Sequence, residues 1–332
     1  GIVPDGNGGF YMLGQKNGAC PPGCSLEEIR LRKANATSLD SSFAGTGTVL
    51  INSFTPVNGY AGGIGFFGTA KDKWAIPVNG RNISNFSGET QIFMGNTTTS
   101  TVTSKSISAA DVTPICEAAS TGYAPRASQN MQINVVSATS ADVLLSVTCL
   151  KNYTIGAMQT SLSLPVLVSM NASTGALTAV ATLGTPSAEA NNFAVRYTVN
   201  PAATGTEPML TAFVTSSLVT QINNYPLANG GTITDHAIVR LDSNLNVLST
   251  TTSGWATSGG TIANDPTLSA MTVNSGKIFA LTRFGNDYKV VTFGSTGAGS
   301  ELVVDASASE IATPTISVLQ GIPTPANETL LP

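Results

Sequence analysis

The chain has 332 residues, a formal net charge of −4 and only 10 % charged residues. Its 15 basic residues are scattered, which argues against nucleic-acid binding, since phosphate recognition needs clustered Lys and Arg. No apolar run reaches the roughly 20 residues that span a bilayer, so no membrane span is expected. Abundant Ser, Thr and Val, with 33 Gly, favour strands and turns over helices.

A short apolar strand, here called strand B, recurs five times along the chain. Each copy has the length and texture of a strand that is buried on both faces. In chain order the B strands are predicted at 8–15, 62–69, 141–148, 208–215 and 276–283.

A hairpin follows each B strand and supplies two further strands, C and D. The hairpins begin at Glu28, Thr90, Pro165, His236 and Lys289. Another strand, A, precedes every unit except the first, at 48–54, 131–137, 193–199 and 268–273. A capping-box pattern at 25–28 is interpreted as the run-in to a strand rather than as a helix. The sequence therefore predicts five units of four antiparallel strands.

This order of strands and turns resembles that of β-propeller repeat proteins in general, and the resemblance covers most of the chain. It implies blades set radially around a channel that the A strands line. No Trp-Asp repeat ending, kelch double-glycine series or Asp-box is present, so no specific family is indicated. Tandem β-sandwich domains are the alternative fold.

Closure of the ring determines the domain limits. Residues 315–321 are expected to supply the A strand that the first unit lacks, closing a five-bladed ring. In the alternative, Gly1-Ile2-Val3 is that strand, and 315–321 begins a sixth blade. We expect one propeller domain at 1–321 and an extended tail rich in Pro and Thr at 322–332.

Four cysteines are present, an even number that fits two disulfides. The favoured pairs are Cys20 with Cys24 and Cys116 with Cys149. Four buried free thiols are the alternative, and a zinc site is less favoured because only one close doublet exists. Two disulfides predict an extracellular or cell-surface protein.

Asn-X-Ser/Thr sequons are the candidate N-glycosylation sites. A chain so rich in Asn, Ser and Thr carries several by chance, so their placement is more informative than their number. All are predicted to fall in turns, loops or the tail. The sequons lie at Asn35, Asn82, Asn85, Asn96, Asn152, Asn171 and Asn327.

Enzyme signatures are weak. Glycosidases need two carboxylates that flank the scissile bond, and the predicted A strands contain no Asp or Glu. The single histidine, His236, has no triad context. Calcium-like stretches at 5–9 and 242–246 lack the terminal carboxylate of a calcium loop and are interpreted as turns. No catalytic residue, metal or cofactor is expected.

One aromatic side chain is a possible ligand contact. Trp74 lies in the predicted B–C loop at 71–89, where it could stack on sugar if exposed or anchor the loop if buried.

We expect a non-enzymatic extracellular structural or adhesive glycoprotein that assembles with itself or with other matrix or cell-surface proteins. A carbohydrate-binding, lectin-like propeller is the alternative. A third hypothesis is a glycoside hydrolase in which a loop carboxyl group has a raised pKa. Its candidates are Asp72, Glu89, Asp111 and Glu117.

Overall fold

The computed structural model describes residues 2–5, 8–17, 26–35, 37–81, 88–125, 131–155, 158–184, 191–199, 209–218, 233–252, 267–274, 277–284, 287–294 and 302–306. Within these ranges the chain forms 20 strands and one helix. All of the strand pairings are antiparallel. The all-β class that the composition predicts is confirmed.

Unit 1 consists of four strands that pair in sequential order, and its last strand continues into unit 2, so that the two units form one run of eight strands. Its strands are β1 (Ile2–Pro4), β2 (Phe10–Asn17), β3 (Leu26–Ala34) and the first part of β4 (Thr48–Ala61). In β3, Ile29 and Leu31 are buried while Arg30 and Arg32 are exposed, the period of two that a half-buried strand requires. The strand predicted from the pattern at 25–28 is confirmed, since β3 begins at Leu26.

Strand β1 is the first strand of unit 1 and pairs with β2, with Ile2 opposite Met12. This agrees with the alternative in which Gly1-Ile2-Val3 supplies that strand, and it fills the place expected for 315–321. The expectation that the first unit lacks this strand is therefore wrong, and the pairing of residues 315–321, which lie outside the described residues, is untested.

Unit 2 continues from the same strand. Strand β4 pairs with β3 as far as Val57 and with β6 from Asn58 onward, so one strand belongs to two sheets. The other strands are β5 (Gly65–Phe67), β6 (Lys73–Arg81), β7 (Gly88–Asn96) and β8 (Val102–Ser108).

The strand assignment of units 1 and 2 differs from the prediction. The strand expected at 48–54 to open unit 2 is the fourth strand of unit 1. The expected loop at 71–89 contains β6, which pairs with β7 along its whole length. Pro77 explains the error, because a proline lacks the N–H of a central strand and usually marks an edge or a loop. In this sheet Pro77 lies in a central strand, opposite Ile92.

A helix that the sequence analysis did not predict follows β8. Helix α1 (Ala109–Ala119) begins with a capping box in which Ser108 and Asp111 bond each other's backbone N–H groups. The buried side chains of Val112, Ile115 and Cys116 lie three and four residues apart, on one helix face. Asp in place of Glu in the box, and a proline inside the helix, obscured this signal.

Units 3, 4 and 5 follow the predicted strand order. Unit 3 contains β9 (Ile133–Val136), β10 (Val143–Ile155), β11 (Met158–Met170) and β12 (Leu177–Thr182). Unit 4 contains β13 (Asn191–Val199), β14 (Leu210–Leu218), β15 (Ile233–Leu241) and β16 (Val247–Thr252). Unit 5 contains β17 (Thr267–Asn274), β18 (Lys277–Phe284), β19 (Asp287–Gly294) and β20 (Leu302–Ala306).

Consecutive units pack side by side. In β6, Trp74, Ile76 and Val78 join the core shared with unit 1, whereas Ala75 joins the core shared with units 3 and 4. Unit 2 therefore buries both faces of its sheet. The first strands take part in the later contacts: β9 lies against β5 and β6, β13 against β11, and β17 against β13. Among the described strands, none pairs the last sheet with the first.

Candidate functional site

The turn after the third strand has the same hydrogen-bonded form in units 1 to 4. A side-chain oxygen at the end of that strand accepts a hydrogen bond from the backbone N–H two residues later, which defines an Asx turn. The oxygen-to-nitrogen distances are 2.9, 2.8, 3.0 and 2.9 Å for Asn35, Asn96, Asn171 and Asp242. Asx turns reverse the chain without help from neighbouring elements, so each of these four units ends its third strand in the same way.

Three of these four turns are sequons. Asn35 is exposed, and Asn96 and Asn171 are partly exposed. In the first two, the sequon hydroxyl also contacts the asparagine oxygen, at 3.1 Å for Thr37 and 2.6 Å for Thr98. Unit 4 has Asp242 at this position and so lacks the acceptor. Three acceptor side chains therefore share one edge of successive sheets.

The remaining sequons differ. Asn152 lies within β10, opposite Ser161, with its side chain exposed. The expectation that every sequon falls in a turn, a loop or the tail is therefore wrong for Asn152, because β10 extends beyond the predicted strand end. The candidates Asn82, Asn85 and Asn327 lie outside the described residues.

Trp74 is buried in β6, with 0 % of its side chain exposed. Its Nε1–H donates to the carbonyl oxygen of Asn96 at 3.1 Å. A Cβ built on Gly95 would lie 2.2 Å from Trp74 Cζ2, so the indole packs directly on a glycine. Trp74 therefore fixes the backbone beside the Asn96 turn, and it is not a ligand contact.

The predicted disulfide between Cys116 and Cys149 is present, with the two Cα atoms 5.5 Å apart. Both side chains are buried, and the bond joins α1 to β10. It therefore ties the connection that leaves unit 2 to a central strand of unit 3. Cys20 and Cys24 lie outside the described residues.

An ion network in unit 1 was not predicted. Lys33 Nζ lies 2.8 Å from Asp40 Oδ2 and 3.4 Å from Asp5 Oδ2, and 5.7 Å from the centre of the Tyr11 ring. The hydrogen bond from Lys33 lowers the pKa of Asp40 to about 2, and its bond to Asp40 raises the pKa of Lys33. Burial raises the pKa of Tyr11. The pKa of Asp40 moves further below 7, and the pKa values of Lys33 and Tyr11 move further above it. The three groups therefore exchange no protons near pH 7, and the network holds the turn at Asp40 in place.

A buried amide joins units 2 and 3. Asn79 Nδ2 donates to the Ile133 carbonyl at 3.0 Å, and Asn79 Oδ1 accepts from Ile133 N–H at 3.2 Å. Thr90 Oγ1 donates to the same Oδ1 at 2.9 Å. The side chain therefore pairs with β9 as a strand backbone would. The signal in the sequence is one Asn in the apolar strand Lys73–Arg81.

Among the candidate hydrolase carboxylates, Asp72 lies far from Glu89, whereas Glu89 lies opposite Ser108, whose N–H and hydroxyl bond Asp111. Asp72 precedes β6, whereas Glu89 pairs with Gly80 near the other end of that strand, roughly 26 Å away at 3.3 Å per residue. Hydrogen bonds from Ser108 lower the pKa of Asp111, which is the opposite of what a general acid needs. Glu117 is exposed on α1.

Of the two segments considered for calcium, 242–246 forms a turn, and in the other the described residues Asp5 and Gly9 bond each other. Asp5 Oδ1 accepts from Gly9 N–H at 2.8 Å, and its other oxygen lies near Lys33. Asp242 Oδ1 accepts from the N–H groups of Asn244 and Asn246. In the ranges given above, no three His, Cys, Asp or Glu side chains cluster closely enough to hold a metal ion.

No protein-family model matches this chain, and a search of curated proteins finds no significant match. Across the described part of the chain, no helix combines the length and the apolarity that a membrane span needs. The fold and the site together define an all-β protein of repeated four-stranded units, braced by a disulfide.

Proposed function

We propose that this chain is an extracellular, N-glycosylated scaffold that acts without catalysis, by binding other protein surfaces, including copies of itself. The repeated Asx turn supports this proposal most strongly. It sets Asn35, Asn96 and Asn171 at equivalent edges of three consecutive sheets. Glycans there would cover one edge of the protein and leave its other surfaces for contacts with partners.

The five units are proposed to be blades of a propeller-like array. Side-by-side packing supports this arrangement, because the first strands β9, β13 and β17 lie against the neighbouring units. Unit 2 is buried on both faces, as a blade between two others must be. The disulfide between units 2 and 3 supports an oxidising compartment.

The non-enzymatic proposal is supported by the strands that would line the centre. The strands β1, β5, β9, β13 and β17 contain no Asp or Glu. The lectin alternative lacks support from Trp74, because this aromatic side chain, which was expected to stack on sugar if exposed, is buried. No observation among the described residues favours it over the scaffold.

The test is secretion of the full chain from a eukaryotic host, followed by glycopeptide mapping and light scattering of the native protein. We expect glycans at Asn35, Asn96 and Asn171 and a native mass above that of one glycosylated chain. A chain without glycans at these turns, or a monomer that captures no extracellular protein, would refute the proposal.

Matched variants separate the glycan from the turn. Substituting Thr37, Thr98 and Ser173 by Ala removes each sequon while keeping the Asn side chain that caps the turn. Thr174→Ala is the control, because it removes a 3.1 Å hydroxyl contact to Asn171 but leaves that sequon intact. We expect each of the first three variants to lose the glycan at its altered site. The control, Thr174→Ala, should keep the glycan at Asn171.

A further inference from the structure

Asn79 is followed by glycine, and an Asn-Gly pair is chemically reactive in an unfolded chain. The backbone nitrogen of Gly80 attacks the side-chain Cγ of Asn79, which closes a cyclic imide and releases ammonia. Glycine favours this step, because it has no side chain to hinder the attack and it rotates freely about its backbone bonds. Water then opens the ring at either carbonyl, so that aspartate or isoaspartate replaces Asn79.

The fold holds the Asn79 side chain away from this reaction. Asn79 is 0 % exposed, and its Nδ2 donates to the Ile133 carbonyl at 3.0 Å. Its Oδ1 accepts from the Ile133 N–H at 3.2 Å and from the Thr90 hydroxyl at 2.9 Å. Three hydrogen bonds therefore fix the amide in a site that solvent does not contact.

The backbone at Gly80 is fixed as well. Gly80 lies opposite Glu89 of β7 on one side and opposite Gly59 of β4 on the other, so β6 is a central strand at this point. Imide closure requires a rotation about the Cα–C bond of Asn79 that turns the Gly80 nitrogen toward Cγ. A strand that is paired on both sides cannot rotate there without breaking its ladder of hydrogen bonds. The folded sheet therefore restrains both partners of the reaction.

We propose that Asn79 is a self-modification site, which is protected while β6 is paired and reacts when this part of the sheet opens. The nucleophile is the chain's own Gly80 nitrogen and the co-reactant is water, so no enzyme is required. Each conversion consumes one water molecule and releases one ammonia molecule. Both products lack the Nδ2–H that bonds Ile133, and isoaspartate also lengthens the backbone of β6 by one carbon. A chain that has reacted therefore loses this bond between units 2 and 3, and the product marks molecules that have opened.

The test incubates the full-length chain at pH 8, folded in buffer or unfolded in guanidinium chloride, and follows its peptides by mass spectrometry. Conversion adds about 1 Da, because OH replaces the NH2 of the amide. In the unfolded chain, Asn79 should react as fast as the asparagines of the other Asn-Gly pairs, which are Asn7, Asn17, Asn58 and Asn229. In the folded chain it should react about a hundredfold more slowly or less, because a stable domain is unfolded for only about 10⁻³ of the time.

Two comparisons in the unfolded chain check the chemistry without requiring a variant to fold. Gly80→Ala should slow the conversion of Asn79 by about tenfold or more, because the new methyl group hinders attack by the nitrogen of residue 80. Asn134 precedes Val135, whose branched side chain hinders the same attack, and it should also react about tenfold more slowly than Asn79.

Loss of the bond between the units is measured on the same material. Partly converted chains are refolded and heated in steps with a protease, and the surviving molecules are mapped at residue 79. Molecules that carry aspartate or isoaspartate there should be cleaved at a temperature about 4 °C lower than molecules that keep Asn79. Conversion at the other Asn-Gly pairs is spread over both groups, so it does not bias the comparison.

Three results would contradict the proposal. Equal rates at Asn79 in the folded and the unfolded chain would overturn the protection by the fold. An unfolded chain that does not convert at Asn79 would overturn the site itself. Equal cleavage temperatures for converted and unconverted molecules would overturn the loss of the bond to Ile133.

Discussion

Replacing Asn79 by Asp tests whether the buried amide holds units 2 and 3 together. The two side chains have nearly the same shape, but the carboxyl group lacks the Nδ2–H donor that bonds Ile133 at 3.0 Å. The carbonyl of Ile133 would lose its partner at a site where Asn79 is 0 % exposed. An unsatisfied buried acceptor costs about 1–3 kcal/mol, and a buried carboxylate adds to that cost, so we expect a loss of about 3 kcal/mol.

This loss can be read as a shift in the melting temperature. At roughly 2.1 cal/mol/K per residue, unfolding of the whole 332-residue chain has an entropy of about 0.7 kcal/mol/K. A loss of about 3 kcal/mol then lowers the melting temperature by about 4 °C in differential scanning calorimetry. Asn134→Asp is the matched control, because Asn134 is exposed in the adjacent β9 and its replacement should change the melting temperature little.

The pH dependence makes the test specific. Burial raises the pKa of the introduced carboxyl group in the folded state, so its protonated form is the one that the fold tolerates. The stability deficit of Asn79→Asp should therefore be smaller near pH 5 and grow as the pH rises toward 8. Equal melting temperatures for Asn79→Asp and Asn134→Asp at pH 8 would refute the interpretation of Asn79 as an inter-sheet bond.

Three further predictions address the disulfide, a packed glycine and the ion network. Replacing Cys116 and Cys149 by Ala should lower the free energy of unfolding by about 4 kcal/mol, because the disulfide closes a loop of 33 residues. An unchanged midpoint of denaturant unfolding would contradict this prediction. Gly95→Ala should cost about 1–3 kcal/mol, because the new methyl group would lie 2.2 Å from the buried indole; Gly63→Ala, with open space around it, is the control in the same denaturant titration. The stabilisation from Asp40 is present above its unfolded pKa of 3.8 and should be lost as the pH falls through its folded pKa of about 2. Amide hydrogen exchange of the turn at Asp40, compared at pH 4 and pH 2, would detect this loss. Equal exchange protection at the two pH values would contradict the prediction.

The later units were predictable from sequence because their strands alternate or run apolar between clear turns. In unit 4, for example, the predicted strand at 193–199 lies within β13, and the hairpin predicted from His236 forms β15 and β16. Unit 2 was not predictable in the same way. The Pro77 that lies inside β6 carries the usual signal for a loop, and the pairing of β6 with its neighbouring strands overrides it.

In the candidate site too, some features follow from local sequence and others depend on residues far away in the chain. Local chemistry predicts the turns at Asn35, Asn96 and Asn171, because an Asx turn needs only its own few residues. The position of Trp74 depends on a glycine 21 residues later, Gly95, so sequence alone left its exposure open. The bond between Asn79 and Ile133 joins two sheets across 54 residues, and no local pattern encodes it.

The division of β4 between two sheets has a mechanical consequence. Because one continuous strand of 14 residues is bonded to β3 at one end and to β6 at the other, tension applied there loads both sheets together. Units 1 and 2 should therefore rupture as one event when the chain is stretched. Under tension, this pair would be a single mechanical link rather than two links in series.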